Sequence, residues 1–474
     1  MNISNPALLI RLLCAEGKVG VALQLRHHML RSHIIPDLPT YNHLINELCK
    51  INDIRSANLI LIEMSELGVF PNCATFESMV DAYCCSDEVE KALDLVCLMC
   101  KSGIKPNKRT LNRLVHALCE RGFVEAARIL VEILNEHMAS DLITSTILLD
   151  GWCRRGNMIQ AVELWNSMAK RNTTLDHVAY NALINGFRLS RDMKLAFKYF
   201  AEMFKKGLLP DLITFNILIG GLSKIGNMDE ACSIFSVMPH FGISPDQLSY
   251  QILIQGFCQQ GNAAKAAGFL KKMLDTLMVP EPLIWNVLIH SYGRCGDVNS
   301  AWKMKDKMVH WGVRPNIFTY NALIHSLLNS GNIKDALRLK ETMEMLGDEF
   351  FPDVITYNIF ISETCNFGNS FVALRFFNEM RMRGVQPDVI TYSILIKYFC
   401  NRGSMKKAEE IFARMQKAVV LIDYVPFQIL IKFYCNQGNI NKAFDLHEIM
   451  AKKGLVGRPS MYFSLISVLK KGMV

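Results

Sequence analysis

Fifteen cysteines in 474 residues could serve disulfide crosslinking or metal ligation. Their spacing points elsewhere. Nine of them (Cys14, Cys49, Cys84, Cys119, Cys153, Cys258, Cys365, Cys400 and Cys435) recur at one place of a 35-residue period. Residues a full period apart stand on separate elements, and Arg188, Ser223, Gly293 and Leu328 take the same place elsewhere. The thiol therefore reads as a small apolar packing group. Cys97 and Cys100 form a CxxC pair, but no second pair follows at zinc-ribbon spacing. No metal site is expected, and so many free thiols imply a reducing compartment. Neither a Walker phosphate loop nor a dinucleotide-binding glycine fingerprint is present, so no cofactor is expected.

The period itself explains what must position any chemistry. Ala22, Ala57, Ala92, Ala127, Ala161, Ala196, Ala231, Ala266, Ala301, Ala336, Ala373, Ala408 and Ala443 stand at the twentieth place of successive units. Seven places later comes Met in every unit but one, where Leu134 replaces it. Fixed periods between 20 and 50 residues mark solenoids, in which each unit buries its apolar face against its neighbours. The expected architecture is all-α: a solenoid superhelix of thirteen helix-turn-helix repeats. Residues 3–37 form a degenerate first repeat, 38–458 hold twelve more, and 459–474 a closing helix. The hydrophobic content of 50% with 20% charge excludes disorder, and no run of 18 apolar residues offers a membrane span. A net charge of +8 suits a polyanionic partner without demanding one.

One unit illustrates the local logic. In 355–366, Ile355, Ile359, Ile361 and Cys365 recur at helical spacing. Gly368 ends this helix in the left-handed conformation, and Asn369 can cap the next. The second helix carries Ala373 and Met380 on one face, and Pro387–Asp388 opens the turn into the following unit. Two units depart from 35 residues: 108–141 is one short, and 317–353 carries two extra around Gly347–Phe351.

The units open on a shared phrase: TYNHLI at 40–45, AYNALI at 179–184, TFNILI at 214–219, TYNALI at 319–324 and TYSILI at 391–396. They close on Pro-Asp or Pro-Asn, as at Pro210–Asp211 and Pro315–Asn316. With the Gly, Ala and Met places, essentially the whole chain resembles the pentatricopeptide repeat family in its plain 35-residue class. That resemblance implies a single-stranded RNA partner, read one base per repeat, with further protein partners in RNA processing or translation. It implies that the fifth and last residues of a unit face the base, with an aliphatic second residue packing on it. An Asn amide offers donor and acceptor to a pyrimidine edge, whereas Thr or Ser is shorter and leaves room for a purine.

Carried onto this chain, Asn112/Asp141, Asn181/Asp211, Asn216/Asp246, Asn321/Asp353 and Asn358/Asp388 resemble the uracil pair. Thr146/Asp176 and Ser393/Asp423 resemble the guanine pair, and Asn42/Asn72 and Asn286/Asn316 a pyrimidine pair. The units with Ala7, Glu77, Gln251 and Gln428 at the fifth place match no defined pair. Second places such as Ile143, Val178, Ile213, Leu248, Ile355, Ile390 and Val425 suit apolar packing, while Arg109 departs. Lys50, Arg154, Lys224 and Arg294, at the thirteenth place, are candidate phosphate contacts. Each Asn or Asp also has an ordinary role, as a helix cap or turn residue.

No deaminase-type H-x-E with P-C-x-x-C is present, and no carboxylate cluster stands outside the repeats, so an enzyme is not expected. A peptide-binding scaffold of the tetratricopeptide type is the alternative. Such a scaffold has no reason to restrict the fifth and last places to Asn, Thr or Ser with Asp or Asn. The resemblance implies an organelle, the mitochondrion first and the chloroplast second. Residues 1–36 lean towards a transit peptide, with Glu16 the one acidic residue, yet also read as a repeat.

Overall fold

The computed structural model describes residues 6–135, 141–170, 175–418, 423–459, 461–463 and 465–466. Among them 26 α-helices run from Pro6–Ala15 to Ile440–Lys452, paired as hairpins, and no strand occurs. The chain divides into two compact units, Met1–Ser244 with seven hairpins and Pro245–Val474 with six. Within each unit the first helix of a hairpin stacks on the first helix of the next, and the second helices form a separate layer. Of the expected closing helix over 459–474, Pro459, Met461–Phe463, Leu465 and Ile466 are helical and Met461 and Leu465 are buried. The rest of it lies outside the described residues.

Helix limits follow from local chemistry. Asn72, Asp211, Asp246, Asn316, Asp353 and Asp388 each accept the backbone N–H three residues on, and the Thr or Ser there returns a bond to the capping residue. Asn227, Asn262, Asp297, Asn332, Asn369 and Asn439 cap second helices by accepting the backbone N–H three residues on. Gly368 closes its helix at φ +78°, and where glycine is missing from that place Asn52, Asp87 and Arg191 take φ of +62°, +69° and +62°.

Packing is set by the repeated Ala and Met. All thirteen twentieth-place alanines are fully buried, and all twelve methionines seven places on are buried too. Tyr41, Tyr180 and Tyr357 are fully buried, and each hydroxyl donates to a carboxylate of the partner helix: Glu63 at 3.2 Å, Glu202 and Glu379 at 3.4 Å. The periodic thiols, at the twelfth place of their units, pack where first helices meet. A Cβ at Gly151 would stand 2.8 Å from Cys119 Sγ, so only glycine fits. Burial pushes the thiols of Cys119 and Cys153 up to about 12, keeping them protonated.

Length variation sits at ends of second helices. The two extra residues of 317–353 form a single turn, Asp348–Phe350. Pro239 stops the helix Met228–Val237 short, and Met238–Phe241 tightens into one turn that keeps Met238 buried. The shortened end of 108–141 falls at 136–140, outside the described residues.

Candidate nucleic-acid interface

The fifth residue of each repeat lies in the first helix, one turn beyond its start, and in most repeats the side chain of the last residue caps the next first helix. Stacking therefore brings the two together across a hairpin boundary. Asn42 Nδ2 donates to Asn72 Oδ1 at 3.1 Å, and Asn286 Nδ2 to Asn316 Oδ1 at 3.1 Å. Asn181 Nδ2 donates to Asp211 Oδ1 at 3.1 Å and to Oδ2 at 3.3 Å. Asn321 reaches Asp353 at 3.3 Å and Asn358 reaches Asp388 at 3.2 Å. Asn181, Asn286, Asn321 and Asn358 are nine-tenths buried and Asn42 is half-buried, so the bonds matter: an unpaired buried amide is costly.

A third group completes each pair and was missed from the sequence. The Thr at the third place of the following repeat sits within hydrogen-bond reach of both members. Thr214 Oγ1 lies 2.6 Å from Asn181 Oδ1 and 2.8 Å from Asp211 Oδ1. Thr144 joins Asn112 and Asp141 at 2.6 and 2.5 Å. The signal was present in the recurrent TYN phrase, whose Thr reads as a simple cap when each repeat is taken alone.

The pairs Thr146/Asp176 and Ser393/Asp423 are arranged differently. Thr146 donates to the Leu142 carbonyl at 2.7 Å, while Asp176 accepts the Ala179 N–H at 2.9 Å. The hydroxyl of Ser393 is buried without a partner among the described residues. Asp423 accepts the Val425 N–H at 2.9 Å, but Tyr424 occupies the capping position, so the expected Ser393/Asp423 pair is not joined. Asn216 is buried, and Asp246 accepts the Ser249 N–H at 2.8 Å. In the unmatched repeats, Asn107 Nδ2 donates to Glu77, Arg11 pairs with Asp37, and Arg458 Nε donates to Tyr424 Oη at 2.8 Å.

Two concavities on the first-helix face contain the pairs Thr146/Asp176, Asn181/Asp211 and Asn286/Asn316. One, of about 510 Å³ in the first unit, is lined by Thr146, Asp176, Asn181 and Asp211 beside Ile143, Val178 and Ile213. The other, of about 700 Å³ in the second unit, is lined by Asn286, Asn316 and Asn321 with Leu283, Phe318 and Ile355. The second-place apolar side chains are exposed: Ile143 61%, Val178 62%, Ile213 60% and Ile390 60%. No packing need within the fold accounts for them. The arrangement offers held polar edges separated by apolar faces, which suits flat rings bearing donors and acceptors.

The charge lining the two concavities differs: Glu120, Asp150, Asp176 and Asp211 stand with Arg154 in the first, and Arg294 with two histidines in the second. Burial pushes the Asp211 carboxyl up, but bonds from Thr214 and Asn181 and the nearby His177 outweigh it and hold the group below its usual range. Arg154 and Arg294 line the two concavities, and Arg154 Nε meets Asp150 at 2.6 Å. Lys50 pairs with Glu47 at 2.5 Å. His290 and His325, also missed from the sequence, stack at 4.8 Å in the second concavity, and burial holds both imidazoles below their usual range. Among the described residues no group of His, Cys, Asp or Glu is arranged to hold a metal ion, and no helix is long and apolar enough to cross a membrane.

Comparison with known proteins identifies the repeats. The model of the PPR repeat family matches residues 7–50, 36–85, 77–120, 140–188, 175–224, 210–259, 280–329 and 352–401. A PPR repeat model matches 248–275, 318–348, 390–418 and 425–455. Two mitochondrial pentatricopeptide repeat-containing proteins of Arabidopsis thaliana are 43% identical over 42 residues, 9% of this chain and 7% of each of theirs. The crystal structure of the pentatricopeptide repeat protein PPR10 from maize superimposes with a TM-score of 0.57 at 19% identity, over 98% of this chain and 75% of that one. PPR10 is also known in complex with an 18-nt RNA element, at a TM-score of 0.48 and 18% identity, over 98% of this chain and 81% of that one. Repeats matched along almost its whole length place this chain in the pentatricopeptide repeat family.

Proposed function

We propose that this protein binds single-stranded RNA in a sequence-specific way, one base per repeat, and acts in organellar RNA metabolism. The observation that carries the reading is the coincidence of held Asn–Asp or Asn–Asn amide bonds with exposed aliphatic side chains in the same concavities. The fifth and last residues supply edges, and the second-place residues supply faces. The protein acts by occupancy and not as an enzyme: it covers a site, blocks exonucleases, opens a hairpin or exposes a translation start. Mitochondrial residence is favoured by the relatives that carry that word in their names.

With N-terminal repeats on the 5′ side, repeats 38–423 read Y-?-U-G-U-U-?-Y-U-U-G, where Y is a pyrimidine and ? is any base. The test is binding of the full chain to an RNA carrying this string, to its complement and to the duplex. Preference for the single strand with the string supports the reading. Equal affinity for all three defeats it, because edge and face contacts both need unpaired bases.

A further inference from the structure

We propose that each reading site built on a fifth-place asparagine has three members, the third being the hydroxyl at the third place of the following repeat, which holds that asparagine in position to read a pyrimidine. The proposal rests on the RNA reading above. Its geometric basis is repeated six times: Thr Oγ1 lies 2.6 Å from Asn Oδ1 for Asn42–Thr75, Asn112–Thr144, Asn181–Thr214 and Asn286–Thr319. The distance is 2.7 Å for Asn321–Thr356 and Asn358–Thr391.

The residue types follow the same rule. Every fifth-place Asn is followed by a third-place hydroxyl in the next repeat, Ser249 serving for Asn216. Where the following residue lacks a hydroxyl, the fifth place is never Asn: Thr146 precedes Ala179, Gln251 precedes Ile284 and Ser393 precedes Pro426. Helix starting alone does not explain this, because Thr40 and Thr110 stand at the same place, behind the caps Asp37 and Asn107, with Ala7 and Glu77 at the preceding fifth places.

The chemistry follows from counting donors. The Asn181 amide spends one N–H on Asp211 and accepts the Thr214 hydroxyl at Oδ1. Bonded at both ends, it cannot turn over, and it retains one N–H and one oxygen lone pair. That is one donor beside one acceptor, the complement of the uracil edge, which offers an acceptor oxygen beside an N–H. Without the hydroxyl, a buried Oδ1 loses its partner and the amide is held from one side. Thr146, whose hydroxyl bonds its own helix carbonyl, needs no such neighbour.

The test uses the full chain and RNAs that differ only at the fifth nucleotide of the string, the one read by repeat 177–211. Wild type is expected to favour U over G by on the order of tenfold. Thr214→Val should reduce this ratio to about twofold or less, while Thr214→Ser restores it. Thr40→Val removes a third-place hydroxyl, bonded to the cap Asp37, that has no asparagine at the preceding fifth place, and should leave the ratio unchanged whatever it does to the melting temperature. A ratio that survives Thr214→Val, or falls equally with Thr40→Val, overturns the proposal. If Thr214→Val does not fold, the converse pair decides. Thr146→Asn with Ala179→Thr should favour U at the fourth nucleotide, and Thr146→Asn alone should not. Equal behaviour of those two overturns it. A wild type that discriminates at no nucleotide defeats the RNA reading itself, a result distinct from either.

Discussion

Asn181 is the residue at which function and structure are most closely joined. It bonds Asp211 and Thr214 and faces the first concavity. Asn181→Thr converts its repeat to the Thr/Asp type and should move its preference from uracil towards guanine, by on the order of 1–3 kcal/mol. Binding to RNAs that differ at that base checks this. Equal loss for both RNAs would mark Asn181 as a structural link only. The stacked pair His290–His325 gives a second prediction. Burial disfavours both imidazolium forms, Arg294 opposes them too, and Glu363 at 3.9 Å favours that of His325. Both groups titrate below their unfolded value, so they stabilise the fold fully above pH 6.5, and that contribution is lost as pH falls through the lowered range. Melting between pH 8 and 5 should show this loss, and His290→Asn should flatten it.

Each hairpin is built from signals two to four residues long, and most were legible. The Asn and Asp caps, the left-handed Gly368 and the Ala–Met packing stripe all stand where the period places them, because each depends on near neighbours. The turn at Met238–Phe241 was not legible as such, since Pro239 stops the helix while the buried Met238 keeps its register. At the ends of second helices glycine usually takes the left-handed conformation, but Leu277 does so at φ +59° with its side chain 82% exposed. Leu277→Gly should therefore stabilise the protein by about 0.5–1 kcal/mol, since relief of the left-handed penalty exceeds the entropy cost of glycine. A chemical denaturation midpoint that does not rise would show that the loop pays no such penalty.

At the scale of the molecule, charge is the remaining lever on RNA. Two of the candidate phosphate contacts, Lys50 and Arg154, are already paired with Glu47 and Asp150, so electrostatics contributes modestly. Plotting log affinity against log salt should give a slope no steeper than about −3, as four cations at roughly 0.7 each require for a single strand. A steeper slope would mean that another basic surface carries the RNA. The sequence by itself determined the hairpin, its count and the places that can vary, because helix caps, turns and packing stripes are local and a period repeats them thirteen times. Only the tertiary structure decided which polar groups meet. Asn181, Asp211 and Thr214 belong to two repeats and up to 33 residues of separation, and their contact exists because first helices stack with Thr214 seated between the other two. The same stacking left Ser393 apart from Asp423, because the helix beyond them starts at Val425 with Tyr424 as its cap, a shift of one residue that no spacing in the chain displays.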